Sequence, residues 1–131
     1  MNVELEAGIV ALDGAALALF YAQALAFVQE ELLEFPQGTV HRLCRGSARL
    51  KIFQPTEGAA DPGSLDPWHR DRGFAYAALH VDDAEQTVEA AVAGGAAVLT
   101  PVTAHRPGAR YALLADPEGN VWEILEEQAP T

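Results

Sequence analysis

Two aspartates whose numbers differ by 70, Asp13 and Asp83, constrain this chain more than any other feature. Each precedes an apolar stretch of helical spacing, and an aspartate in that place can accept from the first free N–H groups of a helix. After Asp13, Ala15 to Leu25 is rich in alanine and leucine, with Leu17, Phe20, Tyr21 and Ala24 at helical spacing, which predicts a first helix. After Asp82-Asp83 a second helix is expected through about Ala93, where Gly94-Gly95 stops it. Extended segments surround both. Val3 to Leu12 leads into the first helix. Glu30 to Phe35 follows it, Pro36-Gln37-Gly38 turns the chain, and Thr39 to Arg45 with Ala48 to Gln54 reads as a hairpin about Gly46-Ser47. In the second half Gly73 to Val81, Ala96 to Val102 and a closing hairpin of Tyr111 to Ala115 with Val121 to Leu125 repeat that order. The pattern implies an α+β fold of two βαβββ modules, each with an open sheet that must pair with another to bury its face.

The boundaries follow from composition. Residues 55–72, PTEGAADPGSLDPWHRDR, hold three prolines and two glycines with little periodicity. The reading is therefore one domain over 1–131, with module one at about 1–55, a linker or mobile loop at about 56–72, and module two at about 73–131. In that linker Trp68 stands among His69, Arg70 and Arg72. Either these residues meet solvent in a plain connector, or the segment is a flap whose indole covers a flat ligand.

Charge and cysteine usage exclude several classes. A net charge of −11 argues against nucleic acid and anionic membrane surfaces as partners, and suits a neutral or cationic small molecule better. The N-terminus MNVELEAGIV carries acids where a signal peptide would carry lysines, and Ala15 to Phe27 is too short to span a bilayer, so a cytoplasmic protein is expected. Cys44, the one cysteine, rules out an internal disulfide framework and a cysteine zinc cluster, and reads as a packing residue. His41, His69 and His105 have no spacing that makes a metal site, and no HExxH, glycine-rich phosphate loop or serine-elbow motif is present.

One residue interrupts the closing hairpin. In ADPEGNVWEIL, Asp116-Pro117-Glu118-Gly119-Asn120 is a turn, and Glu123 then falls between Trp122 and Ile124. Alternation puts Val121, Glu123 and Leu125 on one face, which is either wet or the wall of a site.

The segments ALDGAALALFYAQAL, ALHVDDAEQTVEAAVAGGA and above all DPEGNVWEIL make the chain resemble the vicinal oxygen chelate superfamily, which includes glyoxalase I, the bleomycin-resistance proteins and the extradiol dioxygenases. With the hairpins, these segments cover nearly the whole chain. The resemblance implies a glyoxalase-like fold in which curved sheets close into a U-shaped cavity, and a homodimer. It also implies metal-ligand positions on the first and last strands of each module, which fall on Glu6 and near Lys51 in module one and on Tyr76 and Glu123 in module two.

Only Glu123 keeps the residue type of an active metalloenzyme. Glu6 can ligate through oxygen, a neutral tyrosine is a poor ligand, and a charged ammonium has no lone pair to donate. The expectation is a Glu6/Lys51/Glu123 cluster with the Tyr76 hydroxyl as hydrogen-bond partner, no cofactor, and a small organic ligand, cationic or aromatic. Phe53, Trp68 and His80 complete the candidate ligand-binding set. His80 shares the face of Tyr76 and is either structural or catalytic. Two rivals stand beside this binder: a metal-dependent lyase, isomerase or dioxygenase, and a metal-free acid–base enzyme using Glu123 or His80 with Tyr76.

Overall fold

The computed structural model describes residues 3–61 and 67–128, apart from the side chain of His105, and the chain divides into two compact units, Met1–Pro62 and Gly63–Thr131. Residues 62–66, inside the expected linker, lie outside the described residues.

The first unit runs β1 (Glu6–Val10), α1 (Gly14–Ala24), β2 (Val28–Gln29), β3 (Leu33–Phe35), β4 (Gly38–Arg45) and β5 (Ala48–Pro55). Asp13 caps α1 as its position predicts: Oδ1 accepts from the Ala16 N–H at 3.0 Å. A long-range bond adds to this, since the Gly14 N–H donates to Gln54 Oε1 at 2.7 Å and ties the helix start to β5. The helix ends where the N–H groups of Leu25 and Phe27 both converge on the Tyr21 carbonyl, with Ala26 left-handed at φ 59°.

Strand order is β1-β5-β4-β2, with β3 also on β4; β1 lies parallel to β5, and the other pairs are antiparallel. Of the strand expected at Glu30 to Phe35 only 33–35 forms, and an unexpected short strand precedes it at 28–29. Between them the backbone leaves the ladder, and the Arg42 side chain donates to the Glu31 carbonyl at 3.2 Å. Toward α1 the sheet presents Leu43, Leu50 and Ile52, against Leu17, Ala18, Phe20, Tyr21 and Leu25, all buried. Tyr21 sits edge-on to both Phe20 and Phe27, at ring separations of 5.1 and 5.9 Å.

The second unit repeats the plan with β6 (Ala77–His80), α2 (Ala84–Ala93), β7 (Ala97–Arg106), β8 (Ala109–Ala115) and β9 (Val121–Glu127), in sheet order β6-β9-β8-β7. Asp83 accepts from the Gln86 N–H at 3.0 Å, the counterpart of the Asp13 cap. The strand expected from Gly73 starts only at Ala77. Its parallel partner β9 begins at Val121, and the Ala77↔Trp122 pair is the first of the ladder, which no residue before Ala77 joins. In the other direction β7 outruns its expected end at Val102. It bends through register shifts on either side of Pro101, a residue a sheet tolerates on an edge strand. A hairpin about Pro107-Gly108, with Gly108 at φ 81°, joins β7 to β8.

In the closing turn Asp116 Oδ1 accepts from the N–H groups of Glu118 at 2.9 Å and Asn120 at 3.0 Å, while Gly119 adopts φ 91°. Leu79, Ala84, Ala91, Ala112, Leu114, Trp122 and Ile124 form the core between sheet and α2. Among the described residues no helix is long and apolar enough to cross a membrane.

Candidate functional site

Each sheet has one face packed on its helix, and the expected site residues lie on the other. In unit one the register pairs Gly8 with Lys51, Val10 with Phe53, and Arg42 with Lys51. Because partners in register share a face, Glu6, Gly8 and Val10 lie on the same side as Arg49, Lys51 and Phe53. Lys51 Nζ stands 3.7 Å from Glu6 Oε1, both side chains roughly half exposed. Arg49 lies directly beside Glu6 in the register and pairs with Glu4 at 3.3 Å and with Glu30 at 3.9 Å. Its guanidinium is held even further toward the charged form than usual, first by the Glu4 hydrogen bond and then by the charges of Glu4 and Glu30. Such exposed pairs are screened by solvent and orient side chains more than they stabilise the fold. The same face carries Val10, Val28 and Phe35 largely exposed. Cys44 is half-buried there, opposite Val28 and Arg49.

In unit two, Glu123 is half-buried on the face away from α2. Ala78 lies directly beside it on β6 and Leu113 on β8, neither of which offers a hydrogen-bonding side chain. Among the described residues of its unit Glu123 has no ion-pair partner. Exposure alternates through Phe74, Ala75, Tyr76, Ala77 and Ala78, so Tyr76 and His80 flank Ala78 on that same face. Trp68 reaches Tyr76, with rings perpendicular at 89° and centroids 5.6 Å apart, and also meets the His69 ring at 5.2 Å. His80 Nδ1 lies 4.0 Å from Glu127, whose other oxygen accepts from Arg106 at 3.1 Å.

The structure thus brings Glu6 and Lys51 together in one unit, and Trp68 and Tyr76 in the other, where Glu123 and His80 share their sheet face. Within either unit, among the described residues, no three His, Cys, Asp or Glu side chains gather at metal-ligand spacing.

Sequence reasoning missed the carboxylate that is buried on β9. Glu126, only 9% exposed, faces α2 together with Trp122 and Ile124. Its Oε1 accepts from the first N–H of α2, that of Ala84, at 2.9 Å, and Arg110 grips both oxygens at 3.0 and 3.1 Å. The Arg110 hydrogen bond, then the Ala84 N–H, hold the Glu126 carboxyl below the usual glutamate range, against the opposing effect of burial. Arg110 is correspondingly held further toward its charged form, chiefly by Glu126. The signal was present in the alternation: Trp122, Ile124 and Glu126 share a face, and an acid there needs partners. A shallow depression of about 350 Å³ beside this pair is lined by Arg106, Gly108, Arg110, Glu126 and Gln128, with its charged groups already engaged with one another.

The chain belongs to the glyoxalase/bleomycin resistance protein/dioxygenase superfamily, whose family model matches residues 6–124. Its structure is similar to that of a glyoxalase/bleomycin resistance protein/dioxygenase family enzyme from Burkholderia phytofirmans PsJN, with 25% identity, 93% of this chain and 96% of that one covered, and a TM-score of 0.69. A glyoxalase family protein from Bacillus cereus shares the fold at 13% identity, covering 98% and 97% of the two chains, with a TM-score of 0.82. A glyoxalase I mutant from Zea mays does so at 16% identity and a TM-score of 0.77, where 96% of this chain covers 46% of that one. No curated protein matches the sequence.

Proposed function

We propose that this chain binds a small organic molecule on the open faces of its sheets, as a homodimer, and does so without a catalytic divalent metal. The carrying observation is the ion pair of Lys51 Nζ with Glu6 Oε1 at 3.7 Å, at the two positions where the family resemblance puts the metal ligands of module one. An ammonium there cannot ligate, it repels a cation, and it engages the carboxylate that would have served. The positions in module one offer a carboxylate engaged by an ammonium, and those in module two a carboxylate and a neutral phenol. Neither set gives zinc the nitrogen and sulfur ligands it takes in tetrahedral sites.

Binding is favoured by the mixture the open faces present: apolar Val10, Val28 and Phe35 beside a few fixed charges in unit one, and two aromatic rings with one carboxylate in unit two. Homodimer formation would cover part of this exposed apolar surface.

Two measurements test the reading. Metal analysis of protein purified without chelators should find substoichiometric zinc, nickel, manganese and iron, and adding those ions should leave the melting temperature unchanged. Thermal-shift screening against planar and cationic compounds should find stabilising ligands, with a ligand at a hundred times its Kd adding about 2.7 kcal/mol. Stoichiometric metal that Glu6→Gln or Glu123→Gln removes would replace the binder by a metal-dependent lyase, isomerase or dioxygenase.

A further inference from the structure

We infer that the open face of the second unit is a site for an organic ammonium ion, a quaternary or alkylated amine, with Glu123 as its counter-charge and the rings of Trp68 and Tyr76 as its walls. The inference rests on the small-molecule reading above and gives that molecule a chemical class.

Glu123 carries the argument because it is a charged side chain of this face that has no ion-pair partner among the described residues of its unit. His80 and Arg106 are engaged with Glu127, and Arg110 with Glu126 on the opposite side of the sheet. The groups directly beside Glu123, the methyl of Ala78 and the isobutyl of Leu113, are apolar, and Leu113 is only 7% exposed. A carboxylate in such a setting, half withdrawn from water, is best satisfied by a cation that accepts an apolar neighbourhood.

The aromatic pair selects which cation. Tyr76 lies just before the first pair of the ladder, Ala77↔Trp122, and by alternation shares the face of Ala78, the residue directly beside Glu123. Trp68 meets Tyr76 edge to face, at 89° with ring centroids 5.6 Å apart, and the tyrosine stays 46% exposed. A ring face left open in such a pair offers its quadrupole to a positive charge, and it attracts weakly hydrated cations whose charge is spread over methyl or methylene groups. A small divalent ion keeps its water and demands several oxygen ligands, which one carboxylate and two rings do not supply. Ala78, between Tyr76 and His80 on this face, leaves the strand beside Glu123 without bulk. The chain's charge of −11 raises the local concentration of any such cation.

The test is calorimetric titration of the full chain with choline and with 3,3-dimethylbutan-1-ol, its uncharged carbon isostere. Choline should bind, with the isostere about tenfold weaker or undetectable. Glu123→Gln and Trp68→Ala should each weaken choline about tenfold, whereas Tyr76→Phe, which keeps the ring and loses only the hydroxyl, should bind as the wild type does. Melting temperatures of the variants establish that each is folded. Equal binding of choline and isostere, no binding of choline, or undiminished binding by folded Glu123→Gln would each overturn the inference. If uncharged planar compounds stabilise the protein and choline does not, small-molecule binding stands and the ammonium site falls. If neither class binds, both fall.

Discussion

Arg110 and Glu126, directly opposed across the β8–β9 ladder, form a two-pronged ion pair whose carboxylate also receives the first N–H of α2. One acid thereby joins two strands and a helix start, and it favours the positive end of the helix dipole as well.

The pair predicts a pH dependence. The folded-state pKa of Glu126 lies below its unfolded value, so its contribution to stability is full above the ordinary glutamate range and is lost as pH falls through that range toward the depressed folded value. Arg110→Met should lower the urea midpoint at neutral pH. The gap between variant and wild type should shrink steadily on acidification, and a gap independent of pH would refute the linkage.

Asp116 is 4% exposed and accepts from the backbone of Glu118 and Asn120 and from the Asn120 amide. Asp116→Ala should cost about 2–4 kcal/mol, since three donors lose a charged acceptor at once. Equilibrium denaturation measures it, and a loss under about 0.5 kcal/mol would mean that the turn is held elsewhere.

Gly38 starts β4 where a Cβ would run into the Gln54 carbonyl oxygen and meet the Phe53 ring at 2.9 Å. Backbone cannot swing aside as a side chain can, so Gly38→Ala should destabilise by about 1–3 kcal/mol. Gly8, on the same sheet with nothing within 4 Å of a built Cβ, is the control: Gly8→Ala should stay within about 0.5 kcal/mol of wild type.

Among the described residues Ala26 is the non-glycine residue with positive φ, at 59°, just beyond the end of α1. Ala26→Gly removes the left-handed strain and gives back only part of it as unfolded-state entropy, so the melting temperature should rise, by the equivalent of about 0.5–1 kcal/mol. A fall would show that the methyl packs usefully.

Much of the architecture was legible in local chemistry. Asp13 and Asp83 marked both helix starts, and Asp116 to Asn120 marked the last turn, because caps and turns satisfy backbone groups only a few residues away. Glu6, Lys51, Phe53, Tyr76, His80 and Glu123 all lie on the faces away from the helices, since a period of two carries the side of a strand wherever one buried position is known. The limits of strands were not legible in this way. β6 starts four residues late because its parallel ladder with β9 begins only at Ala77↔Trp122, and of Glu30 to Phe35 only 33–35 pairs with β4, another part of which pairs with 28–29.

Local spacing along the chain determined where this protein makes its helices, its closing turn and the two faces of its strands. Which acid finds partners was settled by folding: alternation puts Glu123 and Glu126, three residues apart on one strand, on opposite faces but supplies neither with a partner. Only the second meets an arginine from the neighbouring strand and the N–H of a helix that begins 42 residues earlier. A charge leaves water where distant groups converge on it, and that convergence is a property of three-dimensional packing.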